Sequence, residues 1–232
     1  MSQIPLTLIL PRSDAVKDYF VSEANQLAYD WIVKWPDWPL PYRSINIFGP
    51  KGCGKSHLGK IYAANKTIIS LTQLREFDRA ALEAADGYIL DDLSPSSGFS
   101  EEAVFHFFNY LAETQKSALM LSKEPVSQMP WQVPDLASRC RSLPCQEVYL
   151  PDDHLLAALL ETYFAERQCS VSEAVLNYIL SRVERSYEAV AELAYEIDKI
   201  SLAQKKPVTI ALVRGIFESQ QTSLNFEEET DR

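Results

Sequence analysis

The chain is short of positive charge: 22 Lys and Arg stand against 32 Asp and Glu, a net charge of −10 over 232 residues. Holding nucleic acid by phosphate neutralisation needs a concentrated basic surface, so this balance argues against strong direct DNA binding. Cysteine is sparse too. Cys53, Cys140, Cys145 and Cys169 show neither C-x-x-C spacing nor a histidine cluster beside them, which argues against zinc and fits free thiols in a reducing cytoplasm. No apolar run approaches the ~20 residues of a membrane span. The N-terminus lacks the charged and long apolar regions of a signal peptide. The expectation is a cytoplasmic chain with no membrane partner, whose 47% hydrophobic content can fill a core.

Only 7 glycines are present, and three of them stand in one octapeptide, Gly49-Pro50-Lys51-Gly52-Cys53-Gly54-Lys55-Ser56. It fits G-x-x-x-x-G-K-[ST] at every fixed position, between the apolar run Ile45-Asn46-Ile47-Phe48 and a helix-compatible segment from His57. This is the pattern of a phosphate cradle. Glycines let backbone N–H groups turn inward, the helix N-terminus adds its dipole, Lys55 places an ammonium on the β/γ-phosphates, and Ser56 can ligate Mg²⁺.

Further apolar pulses at Thr67-Ile68-Ile69, Tyr88-Ile89-Leu90, Ala118-Leu119-Met120-Leu121 and Glu147-Val148-Tyr149-Leu150 alternate with helix-length segments at 71–85, 100–115 and 134–141. Such alternation predicts an α/β fold with a parallel sheet covered on both faces. Ahead of it, Pro5 and Pro11 make residues 1–12 an extended tail, and Ser13 or Asp14 can cap a helix through Tyr19, Leu27 and Ile32. From Pro151 the pattern is helical throughout. Stripes on Leu155 to Phe164, Val175 to Leu180 and Val190 to Ile200, and a last helix near Thr209, predict a small helical domain over 151–220. The acidic segment 221–232 reads as disordered. Residues 13–150 form the α/β domain in this division.

The strand Gly87-Tyr88-Ile89-Leu90 ends in Asp91-Asp92. Alone, two carboxylates after a strand serve as a turn cap. One βα unit after a phosphate loop they can instead hold Mg²⁺, through Asp91, and polarise an attacking water, through Asp92.

The octapeptide with His57-Leu58, Ile89-Leu90-Asp91-Asp92-Leu93, Asp135-Leu136-Ala137-Ser138-Arg139 and the helical domain together resemble the AAA+ module of the replication initiator DnaA and its shorter relatives, over residues 12–218. The resemblance implies a five-stranded parallel sheet, a helical lid and a bound ADP or ATP with Mg²⁺. Asn25 and Ala28 match the segment beside the adenine. Arg139 matches the arginine finger offered to a neighbouring subunit, and Arg185 the second sensor arginine, with Arg182 as its competitor. Spacing alone allows blander roles: Arg139 and Arg141 as a solvated pair, Arg185 bridging Glu188 or Glu192.

Departures from the family narrow the function. Ser122-Lys123-Glu124-Pro125 replaces a polar Ser-Asp sensor, so the chain is expected to be at most a weak ATPase. The stretch from Lys55 to Asp91 is too short for the initiator's extra DNA-contacting helix, and nothing after residue 220 matches its origin-reading domain. Gln3-Ile4-Pro5-Leu6-Thr7-Leu8 resembles the Gln-x-x-Leu-x-Leu peptide that docks on the bacterial polymerase III sliding clamp, through Gln3, Leu6 and Leu8; an edge segment packed on its own domain is the alternative. The resemblance thus implies a short regulator that, on the DNA-loaded clamp, promotes hydrolysis of DnaA-bound ATP, with DnaA, the clamp and a second copy of the chain as partners. The rivals are a helicase-loader ATPase, acting on a replicative helicase and single-stranded DNA, and a non-enzymatic scaffold.

Overall fold

The computed structural model describes residue 19 and residues 21–64 and 66–219. The expected tails at 1–12 and 221–232, with Gln3, Leu6 and Leu8, lie outside the described residues, as do the expected caps Ser13 and Asp14. The chain divides into two compact units, one ending at Leu150 and the other starting at Pro151.

The first unit holds β1 (Ser44–Phe48), β2 (Ile68–Leu71), β3 (Gly87–Leu90), β4 (Ser117–Ser122) and β5 (Cys145–Glu147). They form one parallel sheet in the order β2-β3-β4-β1-β5. Helices α1 (Gln26–Val33), α2 (Lys55–Ala63), α3 (Arg79–Leu82), α4 (Glu101–Thr114) and α5 (Pro134–Ser142) connect and cover it. Successive side chains of a strand point to opposite faces, and both faces here are apolar. Tyr88, Leu90, Ala118 and Met120 pack with α4 and α5 residues such as Phe107 and Leu136. Ile89, Leu119 and Leu121, with Ile45 and Ile47, pack with Ala28, Ile32 and Leu58 of α1 and α2. Because all strands run the same way, the segments after β1, β3 and β4 emerge at one edge of the sheet.

Three expected elements are corrected. Helix α1 begins at Gln26, not near residue 14. Asn25 Oδ1 accepts from Ser22 N at 2.8 Å and Ser22 Oγ from Ala24 N at 3.3 Å, local side-chain bonds that compete with the helical ladder. The helix expected over 71–85 shrinks to Arg79–Leu82. The preceding chain is drawn into pairing with the loop before α4: Leu74 N bonds Gly98 O at 3.0 Å and Ser100 N bonds Leu74 O at 2.8 Å. Strand β5, Cys145–Glu147, begins two residues before the apolar pulse expected over 147–150 and ends at its first residue. After Val148 N bonds Phe48 O at 2.8 Å, Tyr149 N turns to Ala24 O at 3.0 Å and leaves the sheet.

The second unit contains α6 (Asp153–Glu166), α7 (Glu173–Leu180), α8 (Tyr187–Gln204) and α9 (residues 210–219). Leu156, Leu160, Phe164, Ile179, Ile197 and Val213 belong to its apolar core. Asp152 Oδ1 caps α6 by accepting from Leu155 N at 2.7 Å, and Ser186 Oγ caps α8 by accepting from Ala189 N at 3.1 Å. Among the described residues, no helix is long and apolar enough to cross a membrane.

Candidate functional site

The loop between β1 and α2 is built on left-handed glycines, with φ of 154° at Gly49, 82° at Gly52 and 98° at Gly54. A Cβ on Gly49 would run into the Val148 carbonyl oxygen and come within 3.1 Å of Cys53 Sγ, so only glycine fits there. Gly54 is the N-cap of α2 and offers no side-chain acceptor, whereas Asp78, Ser100, Asp152 and Ser186 cap their own helices with side-chain oxygens. The N–H groups of Lys55 and Ser56, in the first turn, therefore face outward with the positive end of the helix dipole. Lys55 Nζ folds back to donate to Gly49 O at 2.7 Å and Pro50 O at 2.8 Å, and lies 3.7 Å from Cys53 Sγ. Burial pushes the Cys53 thiol up, and the Lys55 ammonium pulls partly against that.

Asp91 and Asp92 follow β3 at the same edge of the sheet as the loop. Asp92 takes a left-handed φ of 56° and is exposed. Leu93 N bonds Leu121 O at 2.9 Å, so the chain just past the carboxylates still runs along β4. Across this junction Lys123 Nζ lies 3.8 Å from Asp92 Oδ1. Asn46, fully buried in β1, holds the region from beneath. Its Nδ2 donates to Met120 O at 3.0 Å and Ser122 Oγ at 2.8 Å, and its Oδ1 accepts from Val126 N at 3.0 Å.

Beside the loop, Ala28 is fully buried and Asn25 is 2% exposed, its Oδ1 engaged by Ser22 N. Tyr19 stacks on Tyr29 at 5.5 Å between centroids and meets His57 edge-on at 5.0 Å. This aromatic group was not singled out from the sequence. Its members are far apart along the chain, and Tyr19 reads there as one more apolar helix position.

Arg139 is not gathered at this edge. Its guanidinium lies over the Phe105 ring at 4.2 Å and donates to Phe105 O at 3.4 Å, while Arg141 is exposed. In the helical unit Arg185, just ahead of the Ser186 N-cap of α8, pairs through Nη2 with Asp153 Oδ1 at 3.0 Å, and Arg182 lies over the Tyr178 ring at 3.9 Å. Asp153, Ser181, Arg182 and Arg185 line an open cavity of about 380 Å³.

A bare helix N-terminus, a loop with no room for a Cβ at Gly49, and a lysine on neutral carbonyls are chemically suited to an anion, and a polyphosphate fits that donor set. Comparison with known proteins gives the rest. Residues 152–217 match the family model for the Hda lid domain. A Haemophilus influenzae protein, itself uncharacterised, is 30% identical over 234 residues, covering 92% of this chain and 97% of its own length. The chain is a DnaA-related AAA+ protein, close to Hda. The DnaA initiator of Cutibacterium acnes is 23% identical over 225 residues, 85% of this AAA+ chain but 44% of the initiator. The chain thus spans about half the length of the DnaA relatives it matches. Domain III of Thermotoga maritima DnaA superposes with a TM-score of 0.72 at 17% identity, covering 90% of this chain and 97% of the domain. AMPPCP-bound DnaA from Aquifex aeolicus gives 0.68 at 19% identity, covering 93% and 72%. Both share the fold of this AAA+ protein.

Proposed function

We propose that this chain is a nucleotide-binding regulator of replication initiation that acts on DnaA as Hda does. The match of residues 152–217 to the Hda lid carries the reading. ADP or ATP would sit on Gly49, Pro50, Lys51, Gly52, Cys53, Gly54, Lys55, Ser56 and His57, with Asn25 near the base and Arg185 reaching from the lid. Mg²⁺, held by Ser56 and Asp91, would neutralise charge building on the β- and γ-phosphates, and Asp92 would orient a water. In the cytoplasm, Gln3, Leu6 and Leu8 would dock the chain on the DNA-loaded sliding clamp, as a monomer or homodimer. Arg139, lifted from Phe105, would enter the site of ATP-bound DnaA and speed hydrolysis there.

The test mixes the chain with ATP-loaded DnaA and clamp on DNA and follows conversion of bound ATP to ADP. Conversion should accelerate only when chain and loaded clamp are both present. Arg139→Ala should abolish the acceleration, since a trans arginine is worth about 10³–10⁵ in rate, while leaving the chain's own nucleotide affinity intact. Unchanged conversion with the wild-type chain refutes the regulator reading. DNA-stimulated hydrolysis by the isolated chain would mark a helicase loader instead.

A further inference from the structure

The Lys123–Asp92 pair sits where three strands end, and its surroundings are built rather than loose. Ser122, the residue before Lys123, is register partner to Phe48, the residue before Gly49. Gly49 N donates to Ser122 O at 3.2 Å, so the backbone that carries Lys123 is bonded to the first residue of the phosphate loop. Ser122 Oγ also donates to Glu124 O at 2.6 Å, and the Asn46 carboxamide ties Ser122 and Val126 on either side. On the other strand, Leu93 N on Leu121 O and the left-handed φ of 56° at Asp92 fix that carboxylate's backbone. The backbones on both sides are thus fixed, and between them the two exposed side chains bring Lys123 Nζ to 3.8 Å from Asp92 Oδ1.

We propose that Lys123 is a positioning residue that occupies Asp92, so that the chain holds a nucleoside triphosphate without turning it over. The idea rests on the nucleotide reading of the loop. A carboxylate that orients water does so by accepting a hydrogen bond from it. An ammonium 3.8 Å from that oxygen is too far to bond to it, but its positive charge offsets the negative charge that polarises the water. The restrained reaction is displacement at the terminal phosphorus. The water oxygen bonds to phosphorus, the bridging P–O bond breaks with its electron pair leaving on the diphosphate, and the water proton passes to Asp92 and then to solvent. Of the loop's two lysines, Lys55 is engaged by Gly49 O and Pro50 O, and the cation paired with Asp92 is Lys123 from the end of β4.

Two readouts test this on the full-length chain. In the nucleotide-free chain, the Asp92 side-chain carboxyl carbon resonance should move in Lys123→Gln and stay near its wild-type position in Lys123→Arg, which keeps the charge. In single-turnover hydrolysis of prebound ATP, Lys123→Gln should be at least about tenfold faster than wild type. Lys123→Arg should stay slow, and adding Asp92→Asn to Lys123→Gln should remove the gain. Raised salt should speed the wild type and leave Lys123→Gln unchanged, because an exposed pair is screened. A wild type that binds neither ADP nor ATP in calorimetry overturns the nucleotide site and this proposal together. A wild type that binds ATP, beside a Lys123→Gln that hydrolyses it no faster, overturns the role of Lys123 alone.

Discussion

Among the described residues the α/β unit buries five polar side chains, Asn25, Ser44, Asn46, Ser117 and Ser122, whereas the helical unit buries Ser186 alone. The difference follows from architecture. A parallel sheet covered on both faces has no wet side, so any polar group in its strands must find partners inside, as Asn46 and Ser122 do. Helices satisfy their own backbone and can keep polar side chains outward; Arg185 and Asp153 meet at 56% and 58% side-chain exposure. The sheet unit thus holds its site by satisfied buried bonds that are costly to break. The helical unit presents charges that water already solvates and that can change partners cheaply.

The largest effect that follows is on Asn46. Asn46→Ala strands Val126 N in the interior, takes a donor from Met120 O and Ser122 Oγ and leaves a cavity, and should cost about 3 kcal/mol, a fall in Tm of roughly 6–12 °C. Asn177→Ala, on the exposed side of α7, should stay within about 0.5 kcal/mol. Equal melting curves for the two would break the comparison.

Alkaline pH sharpens it. Burial pushes the Cys140 thiol up to about 12 and the Tyr62 phenol likewise to about 12. Both stay neutral in the fold while their unfolded forms ionise from about 9.0 and 10.0. Their contribution is complete below those unfolded values and is lost as pH climbs towards 12. From Cys140 alone the loss should approach about 1.4 kcal/mol per pH unit above 9. Thermal melts at pH 8 and 10.5 should show it, with a shallower slope for Cys140→Ala.

Removing the charge of Lys55 should be felt in binding but not in folding. Lys55→Ala should lower ADP and ATP affinity at least about tenfold, ~1.4 kcal/mol, by calorimetry, with Tm in the absence of nucleotide near wild type. Smallest is the lid pair. Exposed ion pairs contribute about 0–1 kcal/mol, so Asp153→Asn, which frees Arg185, should raise ATP affinity by no more than about fivefold. Arg185→Ala should lower it. Matching signs would mean that Arg185 does not reach the nucleotide.

The phosphate loop was legible because its geometry demands glycine and lysine at fixed offsets, as the clash of a Gly49 Cβ with Val148 O illustrates. The central strands were legible because burial on both faces gives them unbroken apolar runs, Tyr88-Ile89-Leu90 and Ala118-Leu119-Met120-Leu121; β3 and β4 are buried at every position. The edge strand β5 was not. Cys145, Gln146 and Glu147 are half-buried and polar, and they pair because Asn46 to Phe48 offer an open ladder. The apolar pulse that drew the expectation forward, Tyr149-Leu150, ends up 56% and 42% exposed. The start of α1 depended on hydrogen bonds of Ser22 and Asn25 that carry no periodicity. Asp92 was singled out from the sequence and Lys123 noted only as a departure; their 3.8 Å approach required knowing that β3 and β4 are neighbours.

Parallel strands have evenly spaced ladders, and nothing in the backbone itself distinguishes one alignment from the next. Asn46 does distinguish them. Sliding β4 by one residue past β1 would shift it about 3.3 Å and turn every side chain to the opposite face, leaving the carboxamide with no acceptor at Met120 and no hydroxyl at Ser122. The same slip would carry Lys123 away from Gly49 and Asp92 away from the loop. One amide group thus acts as a gauge for the whole working edge, so the heights at which loop, carboxylates and lysine emerge are decided when the sheet assembles, before any ligand arrives.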